Sequence, residues 1–293
     1  MCQIQSFLDY LSLEKRYSYN TIKSYQTDLK LFESFLKNTY DISIEKTDQN
    51  MTRSWLVNEI KKGNSSRTVN RKITTLKSFF KFLVKIGEIT QNPTLKITSS
   101  KTTKKIPQFV GLEDMNRILD NIKFKKNFSG FRDKLIVEIF YSTGMRLSEL
   151  INIKINDFDV SKGVIKVLGK RNKERFIPLT KELQKSLDNY LVFRAKHLQI
   201  NHSYLLVTDL GKKLNPSMVY RKVNDILNRV TTLEKKSPHI LRHTFATHML
   251  NNGADLNVIK ELLGHASLSA TEVYTHNSIE QLKKVFNRSH PRA

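Results

Sequence analysis

The chain has little of what cross-linked or membrane-spanning proteins need. A single cysteine, Cys2, among 293 residues rules out an internal disulfide and a cysteine-rich metal site. The apolar run LIVEIFY at 135–141 contains an acidic residue and is far too short to cross a bilayer. The opening stretch MCQIQSFLDYL has no basic segment followed by a long apolar one, so no signal peptide is expected. These features favour a protein of the reducing cytoplasm that does not enter a membrane.

Acidic residues are also scarce. The chain has 27 of them against 50 lysines and arginines, which gives a net charge of +23. Such an excess favours a polyanionic partner, most simply nucleic acid, although an ordinary solvated basic surface has the same composition. Residues 1–106 carry +10 and the remaining residues +13. The charge is therefore not a basic tail, and it favours two lobes that both approach the same polyanion.

With only 6 prolines and 10 glycines, the chain has room for regular structure and about two domains. Residues 1–86 predict four helices joined by short polar segments, enough for a small bundle. Residues 87–108 are polar and basic with two prolines, and they predict a linker between domains. Asn20 or Thr21 can cap the second helix, Asp48 precedes the third, and Ser65 and Ser66 precede the fourth.

The fourth of these helices carries basic residues that we predict to lie opposite its apolar stripe. That face could contact DNA phosphates, or it could be an ordinary exposed face. The linker adds two further lysines. The DNA-binding candidates are Arg67, Arg71, Lys72, Lys77, Lys104 and Lys105.

Residues 109–293 predict a mixed α+β domain with a small β-sheet, so the whole chain is mainly helical. The segment GVIKVLGKRNKERFIPL at 163–179 is typical of a β-hairpin with a basic turn. Further helices are expected at about 181–197, 216–230, 239–251, 255–263 and 278–287.

Four short strings in this second region contain an unusual set of polar side chains. They are TGMRLSEL at 143–150, HILRH at 239–243, LLGH at 262–265 and VYTH at 273–276. Together they supply two guanidinium groups, two imidazoles and a phenol, from Arg146, Arg242, His239, His265 and Tyr274.

This set suits the attack of a tyrosine on a phosphodiester. The phenol is the nucleophile, arginines neutralise the charge that develops on the phosphate, and histidine can carry the phenolic proton. A lysine is a plausible acid for the leaving oxygen. Each residue taken alone is more often structural. His239 and His243 could form half a zinc site, but no HExxH pattern accompanies them, so neither metal nor cofactor is expected.

Together the strings resemble the tyrosine recombinase (integrase) family, and within it the Xer recombinases (XerC- and XerD-like). The resemblance covers nearly the whole chain and implies a SAM-like core-binding domain in the first region. It also implies that Glu149 supports the first arginine. Arg171, Lys173 and Arg175 compete with the implied hairpin lysine on spacing. The implied catalytic residues are Arg146, Lys170, His239, Arg242, His265 and the nucleophile Tyr274.

The resemblance further implies a C-shaped clamp on duplex DNA and four protomers, identical or of two kinds, on two sites. A 3′-phosphotyrosyl link and a Holliday junction would be intermediates. A second Xer recombinase and the FtsK translocase are the partners it suggests. The last helix would carry Leu282, Val285 and Phe286 into a neighbouring protomer, unless it folds back on its own domain.

Several functions are compatible with these residues. The first is resolution of chromosome dimers at a dif-like site, and the second is integration of a mobile element. The helices start within the first few residues, which leaves no room for the arm-binding domain of many phage integrases. A non-catalytic DNA-binding regulator is a third reading, because residues 254–274 resemble a helix-turn-helix. A type IB topoisomerase uses a similar residue set.

Overall fold

The structure of the chain is a computed structural model that describes residues 3–102, 107–159, 161–169, 173–197, 202–264 and 276–293. These residues fall into two compact units, Met1–Lys105 and Ile106–Ala293. Within the described ranges, no helix combines the length and the apolar character that crossing a membrane requires.

The first unit is the predicted bundle of four helices. Its members are α1 (Gln3–Leu13), α2 (Tyr19–Tyr40), α3 (Gln49–Lys61) and α4 (Ser66–Lys85), with a short 3-10 turn at Ile44–Lys46. Each helix presents an apolar stripe to a common aromatic core. The fully buried rings of that core are Phe7, Phe32, Trp55, Phe79 and Phe80.

The helix starts follow the polar residues that precede them. Asp48 and Ser65, which the sequence places just before the third and fourth helices, cap α3 and α4, each accepting a backbone N–H from the first turn. The cap of α2 is Ser18 rather than Asn20 or Thr21, because this helix begins earlier than the apolar spacing indicated.

The predicted linker at 87–108 belongs in part to the first unit. Ile97 is buried in the core of the bundle. The backbone of Ser100 exchanges two hydrogen bonds of 2.8 Å with the side-chain amide of Asn70. This corrects the predicted start of the linker, because the polar sequence conceals a chain that packs on α4. Lys104 and Lys105 lie outside the described residues.

The second unit contains the remaining described helices and a small sheet. The helices are α5 (Leu112–Asn116), which continues into a π-turn at Arg117–Asn121, then α6 (Phe128–Thr143), α7 (Leu147–Leu150), α8 (Lys181–His197), α9 (Pro216–Asn228), α10 (Pro238–Asn251), α11 (Leu256–Leu263) and α12 (His276–Ser289); a 3-10 turn lies at Ile155–Asp157. The strands are β1 (Phe158–Asp159), β2 (Val164–Leu168) and β3 (Glu174–Pro178), antiparallel in the order β1-β2-β3. The predicted hairpin is β2–β3, and β1 is an addition too short to show a period in the sequence.

Helix α6 lies in the middle of the second unit. It is apolar on nearly all sides because it packs against α8, α9 and α10. It ends at Gly144, which adopts the left-handed conformation that terminates many helices. The chain then turns directly into α7, so the end of the central helix determines where the TGMRLSEL motif lies.

Helix α12 folds back on its own unit. Leu282 and Phe286 are buried in the core, and Val285 packs against it, where α12 meets α10 and β3. The sequence left open whether these residues pack on their own domain or on a neighbouring protomer, and in this structure they pack on their own domain.

Candidate active site

The candidate site forms around the carboxyl end of α11. The last carbonyl groups of a helix have no partner within it, and they form the negative end of the helix dipole. Here three arginines from three other elements donate to three consecutive carbonyls. The pairs are Arg175 Nε to Leu262 O at 2.7 Å, Arg242 Nη2 to Leu263 O at 2.7 Å, and Arg146 Nη2 to Gly264 O at 3.2 Å.

Arg146 is fixed by the turn that begins α7. Its backbone N–H donates to Glu149 Oε2 at 2.7 Å and its Nη1 donates to Glu149 Oε1 at 2.9 Å. The Glu149 carboxylate therefore binds both the backbone N–H and the guanidinium of Arg146. The side chain of Arg146 remains 32% exposed. A guanidinium held in this way can still meet an anion from solvent.

Arg242 lies on α10 and is more deeply placed. Besides Leu263, it donates from Nη1 to the carbonyl of Gly144 at 2.7 Å. Burial, followed by the neighbouring charge of Arg146, lowers the pKa of Arg242 to about 10, with Glu149 acting in the opposite direction. Arg242 is therefore still charged at neutral pH. Because part of its hydration has been removed, its attraction for an anion is screened less than at an open surface.

Gly144 allows these helices to approach one another. Its φ is +60°, and a Cβ atom added there would lie 2.4 Å from the ring of Phe245 and 2.8 Å from Leu263. No side chain fits between α10 and α11 at this point. The glycine of the TGMRLSEL motif thus terminates α6, admits the neighbouring helices and supplies a carbonyl acceptor for Arg242.

His239 lies in the first turn of α10 and is exposed. It precedes Arg242 by three residues, so the two side chains share one face of the helix. The structure thus brings Arg146, Arg242 and Glu149 together and places His239 one turn from Arg242.

Three of the predicted catalytic residues lie outside the described part of the chain: Lys170, His265 and Tyr274. The first two directly follow described residues, Gly169 and Gly264. The second half of the proposed helix-turn-helix also lies outside the described residues.

Glu149 is ionised at this site. Burial acts to raise its pKa, but the hydrogen bonds and charge of Arg175, followed by the hydrogen bonds of Arg146, outweigh burial and hold the pKa below its ordinary value. The carboxylate can therefore accept from both arginines at neutral pH.

Of the three residues that compete with Lys170 on spacing, the structure describes two. Arg171 is outside the described residues, and Lys173 is exposed. Arg175 is only 4% exposed and forms a two-bond ion pair with Glu149, so its guanidinium is not available to a DNA phosphate. The alternation of β3 contained a signal for this, because Arg175 shares the inward face of Ile177.

In the first unit, the DNA-binding candidates on α4 have different environments. Arg67 is exposed and Lys77 half-buried. Arg71 is exposed but pairs with Asp28 and donates to Ser24 Oγ at 2.6 Å. Arg67 is thus the candidate whose environment best suits a phosphate contact.

Lys72 does not lie on the exposed face, and this corrects its prediction. It is 3% exposed, with Nζ 3.1 Å from Glu59 Oε2 and 3.6 Å from Asp28 Oδ1. Its ammonium also lies over the ring of Trp55. Lys72 falls within the apolar stripe of α4 between Val69 and Leu76, so it stabilises the bundle and no phosphate contact is expected from it.

Metal ligation was not expected from the sequence. Among the residues that the structure describes, no three His, Cys, Asp or Glu side chains are grouped so that they could hold a metal ion.

Comparison with known proteins assigns the family. Residues 108–281 match the phage integrase family, and residues 4–87 match the phage integrase N-terminal SAM-like domain. The chain therefore belongs to the phage integrase family of site-specific tyrosine recombinases. Within that family it is similar to proteins named tyrosine recombinase XerC: it is 40% identical to the one from Staphylococcus carnosus over 99% of this chain and 97% of the relative. Its identity to the one from Thermodesulfovibrio yellowstonii is 39%, over 98% of this chain and 96% of the relative.

Solved structures agree on the fold. The crystal structure of XerA recombinase is 27% identical, with a TM-score of 0.51 and 99% of each chain covered. A XerH recombinase in a post-cleavage complex with a palindromic difH substrate is 22% identical, with a TM-score of 0.76 over 99% of this chain and 92% of that one.

Proposed function

We propose that this recombinase cuts and rejoins both strands of a specific duplex site through a 3′-phosphotyrosyl intermediate on Tyr274. The observation that carries the proposal is the convergence of Arg146 and Arg242 on the last carbonyls before His265. Two charged guanidinium groups are thereby held in place at the described residues that immediately precede His265 in the sequence, and such preorganised charge suits stabilisation of a charged transition state.

In the proposed reaction the phenolic oxygen of Tyr274 attacks phosphorus and the bond to the 5′ oxygen breaks. Arg146 and Arg242 neutralise the non-bridging oxygens, whose charge increases in the transition state. One histidine, His239 or His265, accepts the single phenolic proton, and Lys170 protonates the departing 5′ oxygen. A 5′-hydroxyl from the partner strand then attacks the phosphotyrosyl link and releases the phenol. Because the bond energy stays in that link, the exchange needs no ATP.

We further propose that the reaction takes place between two sites held by four protomers and passes through a Holliday junction. Support comes from the fold shared with a lambda integrase tetramer bound to a Holliday junction, which is 17% identical with a TM-score of 0.69. The charge of the chain is distributed over both units, as a protein that contacts DNA with both would need.

The cellular role that we propose is resolution of chromosome dimers at a dif-like site. The relatives that are about 40% identical over nearly full length are named XerC, and the XerH neighbour was solved on a difH site. A second Xer recombinase and the FtsK translocase would then be partners. Integration of a mobile element is the alternative, favoured by the fold shared with the Tn1549 transposon integrase on its circular intermediate DNA at 19% identity.

A nicked suicide substrate tests the chemistry. Duplexes from the terminus region of the organism's chromosome trap the covalent adduct, because the short fragment released at the nick diffuses away. We expect a denaturation-resistant adduct from the wild type and from Tyr220→Phe, which alters an exposed tyrosine of the same unit. Tyr274→Phe should bind the duplex equally well and form none. An adduct from Tyr274→Phe would overturn the assignment of the nucleophile, and cleavage confined to mobile-element ends would favour the alternative role.

A further inference from the structure

We propose that Arg175 is a positioning residue that fixes the catalytic arginines and the two chain segments that lead into Lys170 and His265. The inference rests on the proposed function for the roles of those residues. Arg175 itself is buried, so it acts through the groups that it contacts and not on the DNA directly.

The first contact is with Glu149. Arg175 donates from Nη1 to Oε1 at 3.0 Å and from Nη2 to Oε2 at 2.8 Å. The same two oxygens receive the backbone N–H and the guanidinium of Arg146. Since a carboxylate that is held in two places cannot rotate, Arg175 determines the plane in which Arg146 is presented.

The second contact is with the end of α11. Arg175 Nε donates to Leu262 O, one residue before the carbonyl that receives Arg242. The hairpin β2–β3 is thereby tied to the helix end that both catalytic arginines share. A shift of this helix end would move the acceptors of Arg242 and Arg146 together.

The third contact is with the two glycines that precede predicted catalytic residues. A Cβ atom at Gly264 would lie 3.2 Å from Arg175 Cδ and Nη1, and one at Gly169 would lie 3.5 Å from Nη1. Gly264 also has a φ of +65°. The guanidinium therefore lies close to the backbones of both Gly264, which leads to His265, and Gly169, which leads to Lys170.

The chemistry of these contacts requires arginine. One planar guanidinium serves three acceptors in different directions, whereas a lysine ammonium cannot keep two parallel bonds to a carboxylate and a third to a carbonyl. Burying such a pair does not by itself add stability, since an apolar replacement of both partners is often neutral. Its value in this chain lies in the geometry that it imposes.

The second unit also offers a matched control. Arg132 on α6 is buried as completely and donates to Asp133 at 3.0 Å, to Asp209 at 3.0 Å and to the carbonyl of Val207 at 3.3 Å. Its described polar partners exclude the residues assigned to the candidate site. Substitution of Arg132 therefore reproduces the loss of a buried ion pair without the proposed positioning effect.

The experiment compares Arg175→Lys and Arg175→Met with Arg132→Lys and Arg132→Met in single-turnover cleavage of the suicide duplex at saturating protein. Thermal unfolding selects a temperature at which every variant is folded. We expect both Arg175 variants to bind the duplex within a few-fold of wild type and to cleave at least about a hundredfold more slowly. The Arg132 variants should lose comparable thermal stability and cleave within about threefold of the wild type.

Two modified substrates supply a readout that a purely structural role would not change. A 5′-bridging phosphorothiolate releases a thiolate that needs no proton from Lys170, and a methylphosphonate lacks one of the charges that the arginines neutralise. We expect each modification to reduce the difference in cleavage rate between the wild type and Arg175→Lys by at least about tenfold. The modified substrates depend less on protonation of the leaving group or on neutralisation of the phosphate, which are the functions that we expect Arg175→Lys to impair.

The outcomes separate the two proposals. If the Arg175 variants cleave normally, or lose no more than the Arg132 variants and respond to neither substrate, the positioning role is wrong while the proposed function stands. If the wild type forms no adduct, the proposed function fails, and the role of Arg175 fails with it.

Discussion

Both units bury a carboxylate beside a cation, but only in the second does the pair lead to the candidate site. In the first unit, the ammonium of Lys72 lies between Asp28 and Glu59, and these residues join three helices of the bundle. In the second, Arg175 and Glu149 join β3 to α7 and, through a backbone carbonyl, to α11. Burying a charge is costly in both units, so burial does not distinguish the two pairs. They differ in which neighbouring side chains each pair holds in position.

The geometry differs because the cations differ. An ammonium is a point charge that tolerates partners at 3.1 and 3.6 Å, and it imposes no orientation on them. The guanidinium fork of Arg175 holds a carboxylate in plane with two bonds. A lysine network of this kind stabilises a bundle, whereas an arginine network can also orient a neighbouring functional side chain.

Replacing one carboxylate in each network gives the largest expected contrast. Glu149→Gln leaves Arg175 without its counter-charge and Arg146 without its clamp. We expect it to lower the free energy of unfolding by about 3–5 kcal/mol and to slow cleavage of the suicide duplex by about 10²–10³. Denaturant unfolding and single-turnover cleavage measure the two effects.

Glu59→Gln is the matched variant in the first unit. It removes the closer partner of Lys72 and should destabilise the protein to a similar degree. Cleavage per folded molecule should stay within a few-fold of the wild type. An equal loss of cleavage in both variants would show that the contrast reflects stability alone.

The cation of the first network provides the next largest effect. Lys72→Met removes the buried cation between Asp28 and Glu59 and leaves each carboxylate with one partly exposed cation, Arg71 and Lys62 respectively, so we expect up to about 3 kcal/mol of destabilisation. The salt dependence of DNA binding should not change. Arg67→Ala, on the exposed face of the same helix, should change stability by less than about 0.5 kcal/mol but reduce the salt slope by about one. If Lys72→Met also reduced the salt slope of DNA binding, Lys72 would be a phosphate contact as first predicted.

These two networks also mark where sequence reasoning succeeded and where it stopped. Helix periodicity located the bundle, and strand alternation located the hairpin, because both signals depend on residues close in the chain. Arg146, His239 and Arg242 could be singled out because their motifs are local strings of distinctive composition. The partners of Arg175 lie 26 and 87 residues away in the chain, so its role required the tertiary structure.

At two positions, the local spacing of residues could nevertheless have predicted burial of a charged side chain. Lys72 occurs at helical spacing between Val69 and Leu76, and Arg175 occurs two residues from Ile177 in a strand. Both spacings place a charged residue on a buried face, and a buried charge must be paired. For α12 the sequence offered no such signal, because an apolar stripe can pack on its own domain or on another protomer.

The distribution of histidine provides a smaller contrast between the units. All eight histidines lie in the second unit. Burial lowers the pKa of His290 from its ordinary value of 6.5 to about 4, and the nearby His248 and Arg292 act in the same direction. As the pH falls below 6.5, the unfolded chain binds a proton that the folded unit does not. The stability of the second unit should therefore be full above pH 6.5 and fall by about 2 kcal/mol by pH 5.

Trp55 allows the two units to be distinguished. As the single tryptophan of the chain, buried in the first unit, it reports unfolding of the bundle by fluorescence. Hydrogen exchange of peptides from α10 and α12 reports the second unit. Between pH 7 and 5 the unfolding midpoint measured by hydrogen exchange of α10 and α12 should move to a lower denaturant concentration. The midpoint measured by Trp55 fluorescence should not change. His290→Gln should remove most of the shift, and a shift that persists in that variant would assign the effect to other groups.

The smallest expected effect concerns ion pairs near the surface of each unit. In the second unit, Arg292 donates to both oxygens of Asp120 at 2.7 Å and is 25% exposed at its side chain. In the first, Lys85 and Glu14 stand 3.7 Å apart and are both mostly exposed. A two-bond geometry at a partly covered site should contribute up to about 1 kcal/mol, and an open single contact close to zero.

Asp120→Asn should therefore lower the melting temperature by about 2–4 °C, and Glu14→Gln should leave it unchanged. Because salt screens exposed charges, raising the ionic strength should reduce the first difference. Equal shifts for the two variants would show that the anchoring of the chain's last residues by Arg292 contributes nothing beyond an ordinary surface pair.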